Sequence, residues 1–418
     1  MEDITTSRRA PFGTNPTVGE AGRATQQRIL AAANDAFAAT GYARTSVEAI
    51  TDIAGCSRPT FYQYFSGKED LHRRLAARFG AELLEVLDRM GPITPDRRGR
   101  DEIASWLTGL AAVHARYRAV ADNFAAAVRT DDQMVTGSVT LSAAYRSRLC
   151  DVIVDPPADP VALEVQAVAI NSVAYGASVY RRRVGSVTDA RATDALTDLI
   201  PRSIFGAIDG INIGESRPGT GRRTPGQTRA TNPDDERRQA RGMATRTKLM
   251  DAAAAAFGTL GYEGVRVDDI AVEAGVSHGT FYRYYRDKDA VFSEHVDAAT
   301  DEIVELLASW PLAAGTEAPW ASDYFDLFAR HGGIIGCLPE ARAAGLDAAT
   351  RSRLEVSRAL RTGLDARSFG DTDADIVSCF ALLEGFPASA FRGLGISVED
   401  AINTTALILR RGVFGASA

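Results

Sequence analysis

Two stretches of the chain gather side chains able to do chemistry. SRPTFYQYFSGKEDL spans residues 57–71, and SHGTFYRYYRDKDAV spans 277–291. Tyrosine, serine and threonine hydroxyls are ordinary ligands of phosphate oxygens. Arginine commonly reads guanine in the major groove of a duplex and glutamine commonly reads adenine. Tyr62 and Tyr282 suit such contacts; Tyr64 and Tyr284 are equally consistent with half-buried packing. Lys68 and Lys288 each open a helix, where a cation opposes the helix dipole. A nearby phosphate would offset that conflict; the alternative is plain surface charge. No HExxH, GxSxG or phosphate-loop motif occurs, and no cluster of His, Asp and Glu, so enzyme activity, a cofactor and a metal site are not expected.

These residues need a rigid support. Ser46 can cap a helix whose inner face holds Val47, Ile50 and Ala54, and Gly55 breaks it, since glycine accepts positive φ cheaply. Ser57 then caps a second helix with Pro59 in its first turn, about seven residues long and ending near Phe65-Ser66-Gly67. Phe61 and Phe65, four apart, share one face and must pack inward, while Arg58, Pro59, Tyr62 and Gln63 point elsewhere. Two short helices joined by a glycine turn make a helix-turn-helix, whose second helix fits a major groove about 12 Å wide.

The same plan is written twice. Shifting Arg28–Leu71 onto Lys248–Val291 gives 16 identities in 44 ungapped positions. The stripe Ile29, Ala33, Ala36, Phe37 returns as Leu249, Ala253, Ala256, Phe257, and Gly41 returns as Gly261 at the helix end. The copies close on matching segments that end at Gly206 and Gly415, an offset of 209, so the second copy is 11 residues shorter behind its motif. Residues 214–241 between them are rich in Gly, Pro, Thr and Arg and read as a solvated linker. Its basic run could touch DNA phosphate or simply aid solubility.

The chain has 418 residues, a net charge of −7 and 45% hydrophobic residues. That is enough for several buried cores, and it disfavours a protein that coats nucleic acid by bulk charge. The four cysteines (Cys56, Cys150, Cys337, Cys379) form no CxxC pair, so reduced thiols in a cytoplasmic protein are expected. Residues 1–22 lack the apolar core of a signal peptide, and no apolar run reaches the length of a membrane span.

AGCSRPTFYQYFSGKEDL and EAGVSHGTFYRYYRDKDAVF, with AAANDAFAATGYARTSVEAI and AAAAAFGTLGYEGVRVDDIA before them, resemble the DNA-binding motif of the TetR family of bacterial transcriptional repressors. The resemblance covers about 50 residues in each copy. It implies an all-α fold in which three N-terminal helices bind double-stranded DNA and a longer helical domain binds a small-molecule effector. Family members pair through their last two helices. Two complete units in one chain therefore imply an intramolecular pseudo-dimer or a higher homo-oligomer, as in the tandem members of the family, some of which regulate lipid-uptake operons in actinobacteria. The implied domains are a disordered tail (1–22), a helix-turn-helix domain (23–90), a helical regulatory domain (91–212), a linker (213–237), a second helix-turn-helix domain (238–310) and a second regulatory domain (311–418). Carried over residue by residue, the DNA contacts are Ser46, Arg58, Thr60, Tyr62, Gln63, Tyr64 and Lys68 in the first copy. In the second they are Arg266, His278, Thr280, Tyr282, Arg283, Tyr284 and Lys288. Arg266 stands where the family has a Ser or Thr cap, and Cys56 where it has Val.

The two heads differ where they would touch bases: Arg58-Pro59 against His278-Gly279, and Gln63 against Arg283. A single chain carrying both should read an asymmetric operator with half-sites about one helical turn apart, roughly 34–36 Å. Arg23–Arg78 has eight basic and five acidic residues, and Arg241–Phe292 has seven of each. Behind the heads, Trp106, Tyr117, Phe124, Tyr145, Tyr175, Trp320, Phe325, Phe328, Phe380 and Phe386 either build cores or line a pocket for a small apolar, lipid-like effector. His114 and His331 read as structural, and Arg181-Arg182-Arg183 as a solvated helix end or an anion contact. The functional expectation is an effector-released repressor. An activator, and a DNA-architectural protein without a sensor, are the alternatives.

Overall fold

The computed structural model describes residues 19–42, 44–156, 162–184, 187–206, 233–310, 315–365, 371–391 and 396–415. The expected tail through residue 18, most of the linker and the side chains of Arg181–Arg183 lie outside the described residues. Every named element is helical, as the sequence predicted; an isolated bridge between Ile93 and Ile153 is the only β-type pairing among the described residues.

The first copy contributes α1 (Glu20–Thr40), α2 (Val47–Ala54), α3 (Arg58–Tyr64), α4 (Lys68–Asp88), α5 (Arg97–Arg116), α6 (Arg118–Thr130), α7 (Asp132–Val152), α8 (Leu163–Val184) and α9 (Asp189–Phe205). The second contributes α10 (Pro233–Gly264), α11 (Val267–Glu273), α12 (His278–Phe281), α13 (Lys288–Ala308), α14 (Glu317–Ala343) and α15 (Asp347–Leu364). It ends with α16 (Thr372–Phe380), a π-helical turn (Ala381–Gly385), α17 (Phe386–Phe391), α18 (Val398–Leu407) and a second π-helical turn (Ile408–Val413). Gly41 (φ 82°) ends α1, and Gly261 (φ 76°) breaks α10 at the matching place. Where the first copy breaks between α5 and α6 at Tyr117, the second runs straight on as α14.

The chain divides into two compact units, and the division does not follow the copies. One unit holds the described residues through Arg89 with Gly109–Ala144; the other holds Met90–Thr108 and everything from Tyr145 onward. In the first unit, α1, α4 and α6 pack around Ile29, Ala33, Phe37, Leu75 and Phe79. Arg73 pairs with Asp131 at 2.8 Å, and the Asn34 amide donates to the Arg116 carbonyl at 2.8 Å.

In the second unit, the closing helices of both copies meet. α8 and α9 pack on α16, on α18 and on the two π-helical turns. The approach is close: a Cβ on Gly176 of α8 would lie 2.6 Å from the Ala381 Cβ, and one on Gly412 would lie 2.3 Å from the Ser203 Oγ. Arg191 of α9 donates to both oxygens of Asp371 at 2.7 Å, the residue that caps α16. The last two helices of the first copy thus pack on the closing helices of the second.

Candidate nucleic-acid interface

Each head is assembled by caps at sites the sequence marks. Ser46 Oγ accepts the Ala49 N–H at 3.1 Å to start α2, and Gly55, at φ 59° and ψ 43°, ends it. Ser57 Oγ accepts the Thr60 N–H at 3.2 Å and lies 2.8 Å from the Thr60 hydroxyl; Ser277 does the same for Thr280 at 3.1 and 2.9 Å. Arg266 has no acceptor to offer as a cap. The Asp269 carboxylate takes the Arg266 N–H at 2.8 Å instead, and α11 still begins at Val267.

Phe61 and Phe65 are fully buried, as are Phe281 and, nearly so, Tyr285. Opposite them, Tyr62 and Tyr282 stand 43% and 49% exposed. Ser46, Arg58 and Gln63 are exposed with Tyr62, and Arg266, His278 and Arg283 with Tyr282; Thr60 and Thr280 are half-buried beside their cap serines. The exposed side of the first short helix thus carries guanidinium, amide and hydroxyl groups, and that of the second guanidinium, imidazole and hydroxyl groups.

Four of the expected contacts are partly or wholly turned into the protein. Tyr64 is only 9% exposed and Tyr284 half-buried, so their rings shape the heads from within. Lys68 and Lys288 do not need a phosphate to answer the helix dipole. Lys68 Nζ donates to the Tyr42 and Thr45 carbonyls at 3.0 and 3.2 Å and lies 4.5 Å from the centre of the Tyr42 ring. Lys288 Nζ donates to the Tyr262 and Val265 carbonyls at 2.7 and 3.1 Å and lies 4.9 Å from the Tyr262 ring. Carbonyl oxygens and an aromatic face offset the charge. Both lysines thereby fix the turn leading into the first helix of the motif. Tyr262 also donates to Asp289 at 2.7 Å, and burial and that carboxylate raise its pKa.

The heads part company in their reading helices. α3 runs for seven residues, as expected, but α12 holds four before tightening into a turn with Tyr284 N–H to Phe281 carbonyl at 2.9 Å. Proline at position 59 presets φ, whereas glycine at 279 leaves the chain looser. Arg58 makes no hydrogen bond or ion pair among the described residues. His278 lies 3.2 Å from Asp268 and packs its ring on Tyr282 at 4.8 Å. His72, its ring tilted against Tyr42 at 4.7 Å, fills the first core where the second has Phe292.

Most of the ten aromatic candidates for an effector pocket are buried in the packed interior. A cavity of about 20 Å³, room for one or two waters, lies in the second copy among α13, α14, α15, α16 and the first π-helical turn. Of the ten aromatic candidates, Phe380 alone lines it. Trp106 donates to Tyr145 at 2.8 Å, and both are buried. Tyr117 donates to Glu82 at 2.6 Å, and burial with that carboxylate pushes its pKa up to about 12. Trp320 stacks on Tyr324 and donates to the Leu306 carbonyl at 3.0 Å. Phe325, Phe328 and Phe386 are core, and Phe124 and Tyr175 are half-buried on α6 and α8. What the sequence reading missed is a buried ion pair at the cavity, Arg353 with Glu384. Glu384 is a lone carboxylate in the apolar run Phe380–Phe386, and that was the available signal.

Residues 29–75 and 249–294 each match the model described as bacterial regulatory proteins, tetR family. The chain thus carries, in tandem, two segments that match the DNA-binding domain of that family. A Bacillus subtilis (strain 168) protein named HTH-type transcriptional regulator YdgC is 30% identical over 77 residues, which cover 18% of this chain and 40% of that protein. The HTH-type transcriptional repressor SCO4008 of Streptomyces coelicolor is 28% identical over 95 residues, 23% of this chain and 48% of that protein. The chain thus spans less than half the length of these curated relatives, and both TetR matches fall on the heads. No described helix is long and apolar enough to cross a membrane.

Proposed function

We propose that this chain is a sequence-specific DNA-binding repressor that reads an asymmetric operator with two unlike heads and is released by a small effector with an apolar body. The observation that carries the reading is the repeated capped reading helix. Phe61 and Phe281 anchor it from below, and Tyr62, Tyr282 and their basic neighbours stand clear on the other side. Such a helix presents hydroxyls to phosphates and long polar side chains to base edges. In this reading Ser46, Arg58, Thr60, Tyr62 and Gln63 meet one half-site, and Arg266, His278, Thr280, Tyr282 and Arg283 meet the other. Tyr64, Tyr284, Lys68 and Lys288 position those contacts.

Pairing of α8 and α9 with the closing helices of the second copy supports a single chain doing the work of a dimer. An effector acts in this scheme only by binding one arrangement of the closing helices better than another. Footprinting on fragments flanking the chain's own gene tests the proposal. The expected result is one protected site without dyad symmetry, preferred over random duplex by roughly 10³ or more. A perfectly palindromic footprint would remove the asymmetric reading. Weak sequence preference with a steep salt dependence would replace the repressor with an architectural protein.

A further inference from the structure

The cavity behind the second head is lined mostly by apolar side chains, with Tyr324, Ser352 and one charged pair among them. Ile303, Leu307, Val356 and Leu360 line its walls; Arg353 and Glu384 line it as well. Arg353 is only 7% exposed and Glu384 12%. Their nitrogen–oxygen distances are 3.0 Å at both prongs of the guanidinium. The guanidinium carbon sits 3.9 Å over the Phe380 ring and 5.4 Å from that of Tyr180. Only Nη2 makes a hydrogen bond to Glu384; Nε and Nη1 are buried with no hydrogen-bond partner among the described residues, Nη1 facing Glu384 Oε1 at ion-pair distance alone. A guanidinium taken out of water needs an anion with two oxygens, and here the chain supplies one from its own π-helical turn.

We propose that Glu384 holds the place of a ligand carboxylate, and that the second regulatory domain binds an aliphatic monocarboxylate with its head group on Arg353 and its tail along Ile303, Leu307 and Leu360. The cavity as it stands has room for one or two waters, so the ligand enters only as Glu384 swings away and the slot opens. The ligand oxygens then take over both prongs of Arg353, and the freed Glu384 carboxylate turns to solvent. No bond is made or broken, and Arg353 keeps one carboxylate throughout.

Displacement has a mechanical consequence. Glu384 belongs to the π-helical turn Ala381–Gly385, and Ala381 in that turn is the residue against which Gly176 of α8 is pressed. π-helical turns of this kind are frequent at functional sites. Moving the turn alters the seam between the two copies, which is where the proposed release of DNA must act; this last step rests on the repressor reading, whereas ligand binding does not. The site is built once. At the offset of 209 that aligns the ends of the copies, Phe380 and Glu384 fall on Asn171 and Tyr175 of α8. The first copy therefore has neither the aromatic platform nor the internal anion.

Calorimetry on the full chain with decanoate, decanol and decylamine tests the proposal. Decanoate should bind at least tenfold more tightly than the other two. Arg353→Gln should abolish that preference. Glu384→Gln, which removes the internal competitor, should tighten decanoate at least tenfold; a pair that only holds the fold together would weaken binding in both variants. Should either single variant fail to fold, Arg353→Met combined with Glu384→Met keeps the volume without buried charge, and it should bind decanoate and decanol equally. Equal binding of decanoate and decanol to the native chain, or no tightening by Glu384→Gln, overturns the assignment. If decanoate binds with the expected dependence on Arg353 and Glu384 but the operator footprint stays unchanged, the site stands and the release mechanism falls.

Discussion

In the first head, α3 runs from Arg58 to Tyr64 with Pro59 in its first turn and Arg58 projecting alone; in the second, α12 stops at Phe281, Gly279 takes the proline's place, and His278 is engaged by Asp268 and Tyr282. The buried floors of the two are almost interchangeable. Phe61 and Phe281 occupy the same site, and Lys68 and Lys288 hold the same carbonyls. The comparison teaches where duplication left freedom: the contacts that make a rigid head were kept in both copies, while the groups that would meet bases diverged. Local charge follows the same line, with an excess of three positive residues in Arg23–Arg78 against none in Arg241–Phe292.

The largest expected effect tests whether the floors are equivalent. Phe61→Ala and Phe281→Ala should each destabilise their own head by about 3–5 kcal/mol, the usual cost of emptying a buried phenylalanine site. Thermal unfolding of each variant checks this, and a much smaller loss in one copy would show that the two cores are not alike.

Acid should separate the heads next. Burial holds the His72 pKa down, from 6.5 to about 4, and its Nε2 has no hydrogen-bond partner among the described residues. The neighbouring charges are Asp131 and Glu69, which favour the proton, and Arg73 and Lys68, which oppose it. Because the folded pKa lies below the unfolded one, the unfolded chain takes the proton first as pH falls through 6.5. Stability is fully present above that pH and is lost down to about pH 4, by at most about 3 kcal/mol. His72→Phe, which copies Phe292, should flatten this slope in a pH series of denaturant unfolding. The second copy keeps a shallower dependence from His295, whose pKa burial also lowers while its bond to the Met250 carbonyl at 2.6 Å works the other way.

Arg58→Ala should weaken operator binding by about 1–3 kcal/mol, the value of one good base contact, and relax preference at a single half-site. His278→Ala should cost less, since that ring is already engaged within the protein; binding titrations on the footprinted fragment compare the two. The smallest effect concerns the helix itself. A Cβ on Gly279 would meet nothing closer than the Ser277 Oγ at 4.0 Å. Gly279→Ala should therefore stabilise the second head by about 0.5–1 kcal/mol, measured by denaturant unfolding.

The helix-turn-helix was readable because its signals are local. A serine cap, a glycine at positive φ and a pair of phenylalanines four apart act within one or two turns, and each appears in the structure where the residues put it. The internal partners of the two lysines were not readable for the same reason. The carbonyls that hold Lys68 lie 23 and 26 residues away, beyond any helical period. Aromatic spacing behind the heads marked mostly buried residues, with Phe124 and Tyr175 half-buried, but spacing carries no sign of partners such as Tyr145 for Trp106 or the Leu306 carbonyl for Trp320.

By itself, the sequence determined that the chain is helical, that it carries two serine-capped short helices, and which side of each faces inward, because caps, turns and 3.6-residue periodicity are properties of neighbouring residues. Only the tertiary structure decided that α8 and α9 close against the last helices of the second copy, and that Arg353 meets Glu384 inside an apolar slot. Those pairings join residues distant along the chain. They depend on how closely backbones can approach at glycines such as Gly176 and Gly412, and on which buried charge finds a partner.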